Sequence, residues 1–162
     1  MDNVYRVTIY IMSARTEASD SQVLLRMLAQ FRYELRQFLS FSERAAVEAG
    51  LQPQQHQLLL QVVGAADGET VTIAFAAERL SLRHHSVVEL VDRSEREGLL
   101  VRGADTVDRR RAILQVTRKG ERIMERLADD HAREINELAP RLLKALKRID
   151  GHALEVAKGN AE

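Results

Sequence analysis

The sequence predicts a mainly α-helical chain with one small β-hairpin, and three observations carry that prediction. Breakers are scarce, with 2 Pro and 8 Gly in 162 residues, which leaves room for long helices. Both ends of the chain keep apolar residues at helical spacing over long stretches. Between them, the β-prone runs Leu99–Arg102 and Ile113–Val116 flank a charged turn. Composition narrows the function classes. Lys+Arg and Asp+Glu are 24 each, so a uniformly basic protein is excluded and a nucleic-acid surface must come from local segregation of charge. The chain has no Cys, which excludes disulfides, thiolate metal sites, Cys nucleophiles and thiol redox sensing.

Residues 1–20 open with MDNVYRVTIYIM, which lacks the basic stretch and small-residue cleavage site of a signal peptide. No run approaches the ~20 apolar residues of a membrane helix. We therefore expect a cytoplasmic protein with no membrane contact. Val4, Val7, Thr8, Ile9 and Tyr10 are β-prone, which allows a short strand, a loosely ordered tail or a partner-docking arm over 1–20. From Ser21, the residues Leu24, Leu28, Phe31, Leu35, Phe38 and Ala45 recur at spacings of three, four and seven, as one face of a helix ending at Gly50 requires. Pro53 suits the first turn of a second helix, which runs to about Val63. Thr70 and Val71 allow a minimal strand. Thr72 is a natural N-cap for a short helix from Ile73 to Leu80. Ser81 is expected to cap the next helix, from about Leu82 to Glu97, with Gly98 as its stop. The hairpin follows. Thr117 caps a final helical stretch in which Ile123, Leu127, Ile135, Leu138, Leu142, Leu146 and Ile149 keep helical spacing. Pro140 is expected to break that stretch in two. Terminal helices of this length cannot hide their apolar stripes against so small a middle, so a second copy of the chain is the expected cover. The resulting organisation is a segment 1–20, a helical dimerisation region from 21–52 and 117–162, and a lobe spanning 53–116.

Within the lobe, two short helices joined by a tight turn form a helix-turn-helix, whose second helix fits the major groove of double-stranded DNA. On that helix Val87, Leu90, Val91 and Ser94 share one side, while His85, Ser86, Glu89, Arg93 and Arg96 lie on or beside the other. Arg83, His84, His85 and Ser86 crowd donors at its start, where side chains reach base edges. From Arg79 to Lys119 there are ten bases against six acids, a net +4, so the remainder of this neutral chain carries −4. The turn between the strands carries Asp108-Arg109-Arg110-Arg111. Arginines at such a tip fit the narrow minor groove and its phosphates. The hairpin is therefore expected to be a DNA-binding wing.

These segments resemble the MarR family of winged helix-turn-helix regulators. DRRRAILQVTRKG (Asp108 to Gly120) is similar to that family's wing signature, D-x-R-R followed by L-T-x-x-G. SVVELVDRSEREGLLVR (Ser86 to Arg102) resembles its reading helix and following strand, LQPQQHQLLLQV (Leu51 to Val62) its second helix, and AERLSL (Ala77 to Leu82) its helix-turn. The resemblance implies a homodimer on a palindromic operator, most often as a repressor, whose DNA affinity a small aromatic acid or phenol alters. It offers Arg83, His84, His85, Ser86 and Glu89 on the reading helix and Arg109 and Arg111 on the wing, and it matches Asp108 and Arg110 to the family's D-x-R pair, with Asp108 orienting Arg110 or Arg93. Apart from the resemblance, Thr72 and the backbone amides at its helix start are expected to hold a phosphate, and Arg93 and Arg110 join the DNA-binding candidates. Three departures stand out. Ser94 replaces a usual Leu on the buried side of the reading helix. Phe75 and Ala76 stand where a polar residue and a Leu are common. Glu89 places an acid toward the groove, where it can accept from cytosine N4 but opposes phosphate.

Other constellations are weaker. His84 and His85 are adjacent, so on a helix they point ~100° apart and are poorly placed to chelate one metal. Phe38, Phe41, Arg44 and His56 are candidates to line an effector pocket. The alternatives are that His56 is a core histidine and Arg44 a surface charge. No P-loop, G-x-S-x-G, G-x-G-x-x-G or H-E-x-x-H occurs, so neither catalysis nor a cofactor is expected. The competing reading is a winged-helix module that binds protein, with Phe75 and the hairpin as its docking surface.

Overall fold

The computed structural model describes residues 2–104 and 112–159, with side chains over 21–104 and 112–151. The elements run α1 (Asp2–Glu48), α2 (Pro53–Val63), α3 (Ile73–Leu80), α4 (His84–Arg96), β1 (Leu100–Ala104), β2 (Ala112–Val116) and α5 (Arg118–Gly159). The chain forms two compact units, one of residues 1–39 and 134–162, the other of residues 40–133.

Two expectations about the ends are corrected. The strand or tail over 1–20 is instead helix, because α1 begins at Asp2. No Pro or Gly interrupts residues 2–48. A few β-branched residues cost only tenths of a kcal/mol each, too little to end a helix already nucleated. Likewise α5 runs unbroken through Pro140. The proline forfeits one backbone hydrogen bond, to the Asn136 carbonyl, while the turns on either side keep theirs.

In the first unit Leu138 and Ala145 are buried, and so is the Glu34 carboxylate. Glu34 Oε1 accepts from Gln30 Nε2 at 2.7 Å, and Arg141 Nε lies 3.6 Å from Oε2. Large apolar side chains nevertheless face outward on both helices, among them Leu25, Tyr33, Ile135 and Leu143.

The second unit holds the larger core: Ala46, Leu58, Leu59, Val87, Leu90, Val91, Leu99, Leu100 and Leu114 are all essentially inaccessible. Gln55 closes the start of α2, its Oε1 accepting from the Gln52 backbone at 2.9 Å. Its Nε2 donates to Glu97 Oε2 at 2.9 Å, tying α2 to the end of α4. Strands β1 and β2 pair antiparallel, Leu100 opposite Val116 through Ala104 opposite Ala112. The minimal strand expected at Thr70–Val71 is a single bridge, Thr72 to Ile113, joined by the Leu114 amide donating to the Val71 carbonyl at 2.8 Å.

Thr117 closes the hairpin onto α5. Its hydroxyl donates to the Gly98 carbonyl at 2.7 Å and accepts from the Gly120 amide at 3.2 Å. Gly120 is required here rather than merely tolerated. A Cβ on it would stand 2.4 Å from the Leu99 carbonyl oxygen and 2.5 Å from Val116 Cγ1.

Candidate nucleic-acid interface

The turn between α3 and α4 rests on Ser81, and its role differs from the expected one. Ser81 adopts the left-handed conformation, φ 53° and ψ 38°, and ends α3, its amide donating back to the Ala77 and Glu78 carbonyls. It does not cap α4. That helix starts at His84, with Arg83 in extended conformation before it and making no side-chain cap hydrogen bond. A C-cap in this region normally asks for Gly, which is why a serine there reads as the start of the next helix.

Along α4 the division of faces follows the periodicity. Val87, Leu90, Val91 and Ser94 are buried. Arg83, His84, His85, Glu89 and Arg93 are exposed, and Ser86 is half-buried. Glu89 and Arg93 thus lie on the outer side of the helix with His85 beside them, while Arg83 and His84 are exposed at its start. Ser94 is fully buried and its Oγ donates to the Leu90 carbonyl at 2.8 Å. The hydroxyl that replaces a larger apolar group is therefore satisfied within its own helix.

Thr72 sits otherwise than its expected role requires. It is 8% exposed, and its Oγ1 accepts from the Phe75 amide at 3.2 Å. It caps α3 from within, which removes it from the surface that would meet a phosphate. Phe75 is half-buried against the core, with the Arg79 guanidinium 5.4 Å above its ring. Asp108, Arg109, Arg110 and Arg111 lie outside the described residues.

At the base of the hairpin stands a cluster that sequence reasoning missed. Arg102 on β1 meets Asp92 Oδ1 and Glu95 Oε2 of α4, each at 2.5 Å. Partial burial opposes the Arg102 charge, but the hydrogen bond and charge of Asp92, joined by Glu95, outweigh it and raise the guanidinium pKa. A base two residues past the buried Leu100 was the available signal, since it shares that residue's face.

The residues expected to line a pocket are dispersed. Phe38 and Phe41 are half-buried, Arg44 is exposed, and His56 is 3% exposed. The structure adds His131, which packs 5.0 Å from the His56 ring and edge-on to Phe41 at 5.5 Å. His131 Nδ1 lies 2.6 Å from the Leu127 carbonyl, and its Nε2 lies 2.8 Å from Ser42 Oγ. The carbonyl assigns the proton to Nδ1, so in the neutral ring Nε2 accepts from the Ser42 hydroxyl. Burial, with His131 beside it, holds the His56 imidazole down at about 4. Among the described residues no three His, Asp or Glu gather to hold a metal ion, and no helix is long and apolar enough to cross a membrane.

A sequence model described as the MarR family matches residues 49–111, the stretch from the end of α1 through the hairpin turn. Over that stretch the chain is similar to the MarR family. The HTH-type transcriptional regulator MhqR of Bacillus subtilis (strain 168) is 36% identical over 61 residues, which cover 38% of this chain and 42% of MhqR. The match thus spans less than half of that relative's length. Among solved structures, CouR from Rhodococcus jostii RHA1, bound to p-coumaroyl-CoA, is 28% identical with a TM-score of 0.52, over 67% of this chain and 71% of CouR. A variant of Staphylococcus aureus MepR bound to an oligodeoxyribonucleotide shares the fold, with a TM-score of 0.57 at 17% identity, over 82% of this chain and 95% of MepR. These structural matches cover a larger share of the chain than residues 49–111 do.

Proposed function

We propose that this protein is a sequence-specific DNA-binding transcriptional regulator of the MarR family, not an enzyme. It binds a palindromic operator as a homodimer and acts as a repressor that a small molecule releases. The observation that carries this reading is the exposure of Arg83 and His84 at the start of α4 and of His85, Glu89 and Arg93 along its outer side, on a helix whose other side is locked into the core. Arg83 to Glu89 read base edges in the major groove. Arg109 and Arg111 bind the minor groove or its phosphates. The competing protein-docking reading relies on the Phe75 ring, which is packed against the core beneath Arg79.

The effector is a small aromatic or phenolic compound, recognised around Phe41 and His56, with Arg44 to meet a carboxylate. Support comes from the rings of Phe41, His56 and His131 clustered in one unit and from a related structure that holds an aromatic acyl thioester.

A gel-shift titration on the DNA upstream of the protein's own gene tests the reading. Wild type retards that duplex at low salt, and a phenolic acid weakens the shift. The Arg109→Ala/Arg111→Ala variant binds more weakly and with a shallower dependence on salt, because fewer counterions are released. No retarded band at low salt, or an unchanged salt slope in the variant, refutes the assignment.

A further inference from the structure

A two-stranded antiparallel ribbon has little stability of its own, so the angle at which this hairpin leaves the core must be held from outside. Leu100 and Leu114 anchor its inner face in the core. Two residues farther along β1, on the same face, Arg102 pairs in register with Leu114 and reaches across to α4. Its Nη2 meets Asp92 Oδ1 at 2.5 Å and its Nη1 meets Glu95 Oε2 at 2.5 Å. Its backbone amide donates to Glu95 Oε1 at 3.1 Å. One carboxylate therefore holds the strand by main chain and side chain together, and a second holds the far edge of the guanidinium. The Arg102 side chain is 26% exposed, while Asp92 and Glu95 are 49% and 37% exposed, so the cluster acts through its geometry more than through the strength of its charges.

We propose that Arg102 is a positioning residue that fixes the angle between the hairpin and α4, so that wing and reading helix engage one duplex at the same time. The inference rests on the DNA-binding reading above. A planar guanidinium gripped on separate nitrogens fixes orientation as well as distance, which a lysine ammonium cannot do. The arrangement has a second effect. Asp92 and Glu95 lie one turn apart on the helix that would approach phosphates, and Arg102 offsets one of their two negative charges where they would otherwise repel the backbone.

The test measures Arg102→Ala and Arg102→Lys against the duplex from upstream of the gene, across a salt series. Thermal melting and amide hydrogen exchange on the unbound protein accompany it. Arg102→Ala is expected to bind about tenfold more weakly and to lower the salt slope by roughly one to two, and Arg102→Lys to recover only part of each. Added to Arg83→Ala, the substitution costs its full factor. Added to Arg109→Ala/Arg111→Ala, it costs little more, because the tip it positions is already silenced. Exchange quickens at β1 and β2 amides and not in α2. Wild-type affinity and slope in Arg102→Ala overturn the inference. So does a loss that adds in full to the tip variant, or one that follows a lowered melting point with the slope unchanged. If wild type retards no DNA, the DNA-binding reading fails instead, and hydrogen exchange still decides whether Arg102 holds the hairpin.

Discussion

His56 illustrates how one buried side chain links acidity to folding. Its imidazole titrates at about 4 in the folded chain and near 6.5 when unfolded. Between those values the unfolded state binds the extra proton, so stability is complete above about pH 6.5 and drains away as pH falls toward 4. The loss amounts to at most about 3 kcal/mol. Chemical denaturation of wild type and His56→Phe across that window should show a steeper decline in wild type. Equal slopes would remove His56 as the cause. Ser94 makes a quieter point at this scale: a polar residue on a buried face is harmless when its own helix offers the Leu90 carbonyl.

At the scale of elements, the junctions decide more than the interiors. Gly120 lies where β2 feeds α5, against the Leu99 carbonyl and the Val116 side chain. Alanine would ordinarily favour a helix by about 1 kcal/mol over glycine. Here the clash costs roughly 1–3 kcal/mol, because the crowding partner is backbone. Gly120→Ala is therefore expected to unfold at lower denaturant, and a raised midpoint would contradict the packing. Junctions were also where sequence reading failed. The apolar face of α4 and the glycine stop at Gly98, φ 68°, were legible because period and left-handed geometry leave marks in residue type. The start of α4 was not, since a serine in the left-handed C-cap of α3 looks like an N-cap. The continuity of α5 through Pro140 was hidden too, because one lost hydrogen bond is small beside the packing of Leu138 and Ala145. The Arg102 cluster joins residues seven and ten apart across a turn, a contact that no periodicity announces.

For the molecule as a whole, the outer faces of the terminal helices set the expectation. Leu25 is 61% exposed, Tyr33 55% and Leu143 54%, a density of apolar surface that a lone chain does not keep in water. Light scattering at micromolar concentration should return twice the 18.3 kDa chain mass, and a single-chain mass would contradict the two-fold arrangement that a palindrome needs. The bare start of α4 matters at this scale as well. Arg83 before it makes no side-chain cap hydrogen bond, so under the DNA-binding reading a backbone phosphate that met its opening amides would finish the helix while being held by it. Recognition and local ordering then become one event, and the bound complex should contain a stiffer α4 than the unbound protein does.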